Sequence, residues 1–268
     1  MTHRRHNNRL FLDHSQISGK RPLDWRFRFF LFACILIFSS DANCQPVKPL
    51  TLYTEDMQPY NMIENDHVTG ISSEIIATAL NHLQLGYALR LVAWQRAYHE
   101  ALTEPNSCVY STVRTADREE LFQWIGPVGR DSLAVFVLPD STIQARNLAE
   151  LRNYRTVVTP GDYAEPRLRE NGIKIIPAPV EAARQLNMMS AGRIDFWIAN
   201  RSQAQFEARR AAIPLRELFT YDDFELYLAC NRAISPDLVG RMDAAVKQVW
   251  ESGEAARITA RFTSGPKE

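Results

Sequence analysis

The sequence predicts an α/β protein of two similar lobes joined by two crossing strands. Short strand-like runs alternate with amphipathic helical segments, and this β-α-β-α-β order occurs twice. Each unit has about 85 to 90 residues, within the usual range for a small domain. The closing stretch, residues 222–268, is too short for a core of its own, so we expect it to complete the first unit. A chain that returns in this way crosses between the lobes twice, and paired crossings form a hinge.

The first predicted lobe covers residues 45–131 plus 222–268. Its alternating strands and helices are expected at residues 50–54, 72–86, 87–92, 94–103 and 108–113. Ser72 or Ser73 is the expected cap of the first helix, and Gly86 its expected end. In the closing stretch, residues 225–230 read as a strand. Ser235 followed by Pro236 then predicts a helix start, because serine caps helices and proline suits the first helical position.

The second predicted lobe covers residues 132–221. Strands are expected at residues 133–138, 156–159, 174–176 and 195–199. Helices are expected near residues 165–171 and 181–191, and Gly192 ends the second of them.

The first 44 residues are predicted to be a secretory signal. They hold seven basic and three acidic residues, and residues 29–38 form an apolar run followed by small residues. The run is shorter than the ~20 residues that span a bilayer, although an uncleaved N-terminal anchor stays open. We therefore expect a periplasmic protein. Without this segment, 24 basic and 28 acidic residues remain of the 31 of each sign, and a net charge of −4 gives no general attraction to nucleic acid.

Two cysteines, Cys108 and Cys230, remain in the mature chain if the signal ends at residue 44. Export permits a disulfide between them. The favoured interpretation is two buried thiols, because a free cysteine commonly packs as a small apolar residue; the disulfide is the alternative. No cysteine or histidine spacing indicates a zinc site, and nothing predicts a cofactor.

Four stretches carry a resemblance to a known family. They are residues 110–127, with the pattern Thr-x-x-Arg followed by an aromatic residue and a proline, and residues 54–60, 70–75 and 191–195. In this order and spacing the chain resembles the family 3 periplasmic solute-binding proteins, over roughly residues 47–263. The resemblance implies the type II fold of periplasmic binding proteins, in which two Rossmann-like α/β lobes close over a ligand around a two-strand hinge.

The resemblance also implies site residues in the first lobe. Arg118 matches the arginine that grips the ligand carboxylate, and a planar guanidinium suits that contact; a surface ion pair with Glu119 or Glu120 is the alternative. Arg114 is a second candidate, or a partner of Asp117 outside the cleft. An aromatic residue that stacks on the ligand corresponds to Trp94, with core packing as the alternative. The remaining first-lobe candidates are Glu55, Tyr60, Arg96 and Thr112.

The second lobe departs from the family pattern. Amino-acid binders hold the ligand ammonium with an aspartate at the position of Asn200, and an amide cannot neutralise a cation. Asp162 and Tyr163 stand where small hydroxyl residues are usual, and Asp162 is a possible substitute partner for the ammonium. The expected ligand is therefore a small carboxylate-bearing solute, either an amino acid or a related organic anion.

Three functions remain open from the sequence. The first is solute capture by a monomer, for delivery to an ABC permease. The second is a ligand sensor that docks on a membrane receptor. The third is an enzyme similar to the cyclohexadienyl dehydratases of this family, for which Glu55 and Asp162 are the acids to test. We expect a binding protein rather than an enzyme, because no nucleophile triad, metal motif or phosphate loop is present.

Overall fold

The structure, a computed structural model, describes residues 49–263. The predicted signal therefore lies outside the described residues. The strands are β1 (Leu50–Thr54), β2 (Met62–Glu64), β3 (His67–Thr69), β4 (Tyr87–Leu91), β5 (Ser107–Val113), β6 (Gln123–Val137), β7 (Thr156–Val157), β8 (Phe196–Asn200) and β9 (Arg216–Cys230). The α-helices are α1 (Ile71–His82), α2 (Trp94–Thr103), α3 (Glu165–Glu170), α4 (Ala182–Ser190), α5 (Arg201–Ala211), α6 (Pro236–Glu251) and α7 (Glu254–Thr263).

Seven strands form one sheet in the order β4-β1-β5-β9-β6-β8-β7, and β2 and β3 form a separate hairpin. Strand β1 is parallel to β4 and β5, as the β-α-β-α-β pattern predicts. The fold has two lobes. In the sheet, β1, β4 and β5 lie on one side of the pair β9-β6, and β7 and β8 lie on the other. We refer to β1–β5, α1 and α2 as lobe one and to β7, β8 and α3–α5 as lobe two. The C-terminal helices α6 and α7 pack on α1.

The two strands between the lobes are much longer than the sequence predicts. Strands β6 and β9 each have 15 residues and pair antiparallel along their length, whereas only residues 133–138 and 225–230 are predicted. Their register shifts at three places, the first between Ile125 and Gly129. Register shifts of this kind bend a strand and increase its twist, so the pair can pass from one lobe to the other.

The ends of α1 differ from the prediction. Gly70 precedes the helix, while Ser72 and Ser73 lie buried inside its first turn and do not cap it. A Cβ at Gly70 would lie 2.3 Å from the carbonyl oxygen of Tyr60, and its φ of 119° also favours glycine. The helix ends at His82, before the predicted end at Gly86, and Gln84 takes the left-handed conformation (φ 54°).

Other helix signals are confirmed. Ser235 accepts a hydrogen bond from the backbone N–H of Leu238 and Pro236 opens α6, while Gly192 ends the segment after α4 with φ 65°.

Lobe two is less regular than predicted. The strand expected at residues 174–176 is reduced to one isolated bridge between Thr156 and Ile175, and β7 has only two residues. Two helices, α5 and α7, were not predicted. In α5, eleven residues with only one large apolar side chain, Phe206, give no amphipathic pattern.

Cys108 and Cys230 form a disulfide, which corrects the favoured interpretation of two free thiols. The two residues lie directly opposite each other on the antiparallel strands β5 and β9. The bond therefore ties lobe one to the strand that returns from lobe two. Within residues 49–263 no helix is long and apolar enough to cross a membrane.

Candidate functional site

A cavity of about 650 Å³ lies between the lobes. Its walls come from the loops that follow β1, β4, β7 and β8, together with residues of β5 and β9. Strands β1, β4 and β5 are parallel, as are β7 and β8, and ligand sites in parallel sheets form at the carboxyl ends of the strands. Six of the ten candidates from the sequence line this cavity: Glu55, Trp94, Arg118, Asp162, Tyr163 and Asn200.

Arg118 is held on the lobe-one wall by groups that carry no negative charge. One guanidinium nitrogen donates to the carbonyl oxygen of Val113 at 3.2 Å. The guanidinium carbon lies 5.5 Å from the ring centroid of Trp94 and 5.6 Å from that of Tyr98. Arg118 forms no salt bridge with a described residue, which excludes the predicted alternative of an ion pair with Glu119 or Glu120.

Trp94 opens helix α2 immediately after Ala93 and is half-buried. Its ring packs on Tyr98, one helical turn later, with 5.6 Å between centroids. The two rings form the aromatic surface that Arg118 covers, so Trp94 both packs and lines the cavity.

Glu55 and Asp162 bring two carboxyl groups to the cavity from different lobes. Burial, followed by the negative charges of Asp162 and Asp56, raises the pKa of Glu55 to about 7. Burial also raises the pKa of Asp162 to about 6, although that carboxylate accepts a hydrogen bond from the backbone N–H of Ala164 at 2.8 Å. The positive charge of Arg118 opposes both shifts. Burial is the main cause of both shifts, and a positively charged group bound beside these carboxyls would lower both pKa values.

Asn200 presents an unpaired oxygen atom. It stands at the junction of β8 and α5, but its side chain does not cap the helix, because the carboxylate of Asp131 accepts from the backbone N–H of Ser202 instead. The amide nitrogen contacts the sulfur of Met57 at 3.7 Å, and the buried amide oxygen has no hydrogen-bond partner among residues 49–263. A donor from a bound molecule would satisfy this oxygen.

Tyr163 follows Asp162 on the lobe-two wall. Its hydroxyl hydrogen-bonds with the carboxylate of Asp222 at 3.2 Å, and its ring meets the edge of Phe224 at 5.5 Å. These contacts fix the ring against β9 at the hinge.

Two candidates lie in the core instead. Tyr60 is buried, donates from its hydroxyl to the carbonyl oxygen of Arg130 at 2.7 Å and lies 3.3 Å from the hydroxyl of Ser202, so it joins the first loop to the hinge. Thr112 is fully buried, and its hydroxyl donates to the carbonyl oxygen of Val109. Neither side chain lines the cavity.

Two candidate arginines face away from the cavity. Arg96 is exposed and pairs with Glu100 one turn along α2, at 3.4 Å. Arg114 forms two hydrogen bonds with the carboxylate of Glu119 and packs over the ring of Trp124. Its location outside the cleft agrees with the alternative raised from the sequence, but the partner is Glu119 rather than Asp117.

Ser111 lines the cavity and was missed. It occupies a bulge between Tyr110 and Thr112 of β5, with φ 59°, and donates to the side-chain oxygen of Asn61 at 2.7 Å. A left-handed non-glycine residue costs roughly 1–3 kcal/mol, and such strain concentrates at binding sites. No sequence signal marks it, because serine is common in ordinary strands and turns.

The cavity carries an excess of negative charge. Among residues 49–263, five acidic and two basic residues line it: Glu55, Asp56, Asp162, Glu181, Glu207, Arg118 and Arg210. Glu207 and Arg210 were also missed, because they lie on the unpredicted helix α5. Among residues 49–263 no group of histidine, cysteine, aspartate and glutamate is arranged to hold a metal ion.

The fold is shared with solved structures of low sequence identity. A histidine kinase sensor domain with similarity to periplasmic binding proteins matches with a TM-score of 0.73 and 17% identity, over 80% of this chain and 96% of that chain. The P235GK mutant of ArgBP from T. maritima matches with a TM-score of 0.70 and 15% identity, over 81% of this chain and 95% of that chain. The arginine-, lysine-, histidine-binding protein ArtJ from Geobacillus stearothermophilus matches with a TM-score of 0.69 and 14% identity, over 82% of this chain and 97% of that chain.

Sequence comparison gives one clear relationship. No curated protein sequence matches the chain. Residues 50–265 match the sequence model of the bacterial extracellular solute-binding proteins, family 3, which spans both lobes and the cavity between them. The chain therefore belongs to the bacterial extracellular solute-binding proteins of family 3.

Proposed function

We propose that the protein captures a small solute carrying both a carboxylate and a cationic group, of the kind found in basic amino acids. The supporting observation is the polarity of the cavity wall. In the described part of the chain Arg118 forms no ion pair with a carboxylate, while Glu55, Asp162 and the unpaired oxygen of Asn200 offer acceptors. A zwitterion supplies the missing partner to each set, and buried charges require such partners.

The excess of acidic groups favours a cation over the organic anion that the sequence left open. A solute with only negative groups would meet five carboxyl groups and two guanidiniums. Like charges in a partly dehydrated cleft cost free energy, whereas a guanidinium or ammonium group would be attracted. A similar structure is that of AbpA from Streptococcus pneumoniae, which was solved with L-arginine bound.

We propose a lobe organisation that matches this role. Lobe one extends over residues 45–131 and 222–268 and lobe two over residues 132–221, with residues 1–44 as the export signal to the periplasm. The packing of α6 and α7 on α1 and the register shifts of β6 and β9 support these boundaries. Closure of the lobes around the hinge would enclose the solute, and the closed monomer would dock on an ABC permease.

A second candidate is a ligand sensor for a membrane receptor, which the likeness to a histidine kinase sensor domain favours. Both roles need the same capture step. We propose that neither involves chemical conversion of the solute; mass spectrometry of recovered solute would detect conversion.

Calorimetric titration with four compounds tests the proposal. L-arginine has a carboxylate, an ammonium and a guanidinium; agmatine lacks the carboxylate, 4-guanidinobutyrate lacks the ammonium, and succinate is only anionic. We expect L-arginine to bind most tightly and succinate not to bind. Tighter binding of succinate than of L-arginine would overturn the proposed charge of the solute.

A further inference from the structure

A second charged cluster lies where α5 of lobe two meets the loop after β1. Arg210, near the end of α5, donates to the side-chain oxygen of Gln58 in lobe one at 3.3 Å. The same guanidinium lies 3.5 Å from the carboxylate of Glu207, one turn earlier on α5. Arg210 therefore contacts both lobes at once.

Two carboxyl groups from opposite lobes line the same cavity as Arg210, those of Asp56 and Glu207. Glu207 is buried, with 5% of its surface exposed, and Asp56 belongs to the lobe-one loop. Burial, and to a lesser extent the negative charge of Asp56, raises the pKa of Glu207. The positive charge of Arg210 acts in the other direction and lowers it. Arg210 also opposes the rise that burial causes in the pKa of Asp56. The guanidinium of Arg210 therefore stabilises the ionised form of both carboxyl groups.

This arrangement bears on the lobe closure that we propose for solute capture. As the lobes approach, the carboxylates of Asp56 and Glu207 come closer and lose water, so that their repulsion grows. The guanidinium of Arg210, 3.5 Å from the carboxylate of Glu207, would offset this repulsion and favour closure.

We propose that Arg210 is a built-in counter-cation, which neutralises Asp56 and Glu207 when the lobes meet and leaves Glu55 and Asp162 as the acidic pair available to the solute. This inference rests on the proposed function, because it determines where the cation of the solute can bind. It makes Arg210 a positioning residue and a determinant of specificity, although no contact with the solute is required.

Loss of Arg210 would have two effects. The closed state would become less populated. The apparent affinity for the solute would fall in proportion, because it is the affinity of the closed state multiplied by the closed fraction. The acid pair of Asp56 and Glu207 would also become available to a second cationic group. A diamine such as 1,4-diaminobutane would therefore gain affinity relative to L-arginine.

The variant Arg210→Gln tests the proposal, with Arg209→Gln as the matched control. Arg209 is the preceding exposed residue of α5, and its side chain forms no ion pair with a described residue. For Arg210→Gln we expect about tenfold weaker binding of L-arginine by calorimetry, in line with a tenfold smaller closed fraction. Small-angle X-ray scattering of the solute-free protein should give a larger radius of gyration. Arg209→Gln should match the parent protein in both measurements.

The triple variant Arg210→Gln/Asp56→Asn/Glu207→Gln separates charge from packing. Because the repelling carboxylates are then absent, we expect its radius of gyration to return to the parent value. An unchanged radius in Arg210→Gln, or no recovery in the triple variant, would overturn the role of Arg210. The scattering measurement needs no solute, so it decides this point even if none of the compounds binds and the proposed function fails.

Discussion

The guanidinium of Arg118 lies over the ring of Trp94, 5.5 Å from its centroid, and is anchored by one hydrogen bond to the carbonyl oxygen of Val113. The aromatic surface and the carbonyl fix the orientation of the guanidinium without neutralising its charge. A group held in this way needs little further ordering when it binds a carboxylate.

Replacement of Trp94 by leucine should weaken L-arginine binding by about threefold to tenfold, the range expected for loss of a partly exposed cation–π contact. Trp94→Phe keeps an aromatic face and should retain most of the affinity. Calorimetric titration of both variants checks this. Equal affinity in Trp94→Leu and the parent would show that the ring does not support Arg118.

Binding of L-arginine should strengthen as the pH rises. The pKa of Glu55 is about 7 and that of Asp162 about 6, and the cation of the solute favours the ionised forms. Binding should therefore release protons, and affinity should increase between about pH 5 and pH 8. Titrations at several pH values test this. In Glu55→Gln the dependence should be flatter, and an unchanged pH profile would contradict the role of Glu55.

The solute-free protein should show the opposite pH trend in stability. Burial raises the pKa values of Glu55, Asp162 and Asp131 above the ordinary values, so the folded protein binds more protons than the unfolded chain over this range. Stability from these groups is present at low pH and is lost as the pH rises through their folded pKa values. Thermal unfolding of the solute-free protein should thus occur at a lower temperature at pH 8 than at pH 5.5, and the reverse order would contradict the burial of these groups.

The sequence predicted local elements well where periodicity and caps agree. Helix α2 has the predicted bounds, and Ser235 with Pro236 marks the start of α6. Elements that depend on tertiary contacts were missed. The amino end of α5 is capped by Asp131, which lies 71 positions before Ser202 in the sequence. The capping residue is therefore not found near the start of α5 in the sequence. The extension of β6 and β9 likewise comes from their pairing with each other.

The candidate site likewise combines features that the sequence indicates with features that depend on tertiary contacts. Arg118, Trp94 and Asp162, which the comparison with the family pattern singled out, all line one cavity. It cannot tell which way a side chain points, and a bulge at Ser111 turns Thr112 into the core. Charge balance is also invisible in the sequence, because it depends on which acidic residues of distant segments reach the cleft.

Asn200 should act through its unpaired oxygen. Asn200→Leu removes the acceptor and should weaken L-arginine binding by about tenfold, typical for loss of a hydrogen bond to a charged group. Asn200→Asp retains an acceptor and should bind at least as well as the parent at pH 8. Calorimetry on both variants checks this. If the leucine variant binds as tightly as the parent, the oxygen has no part in solute binding.

The disulfide should stabilise the fold substantially. It closes a loop across 122 positions of sequence, and loss of such a constraint typically costs about 2–5 kcal/mol. The double variant Cys108→Ala/Cys230→Ala should therefore unfold at a lower urea concentration than the oxidised parent. Reductant should destabilise the parent but not the variant. Equal stability of the reduced and oxidised parent would contradict the bond.

The most direct test of the account is the effect of Arg118→Ala on two compounds that differ by one carboxylate. If Arg118 binds that group, affinity for L-arginine should fall by at least about tenfold, as for other charge-assisted pairs, while affinity for agmatine should not fall. Arg114→Ala, an arginine of the same segment that pairs with Glu119 outside the cavity, serves as the control and should leave both affinities unchanged. An equal loss for both compounds, or no loss for L-arginine, would contradict the assignment of Arg118 as the carboxylate-binding residue.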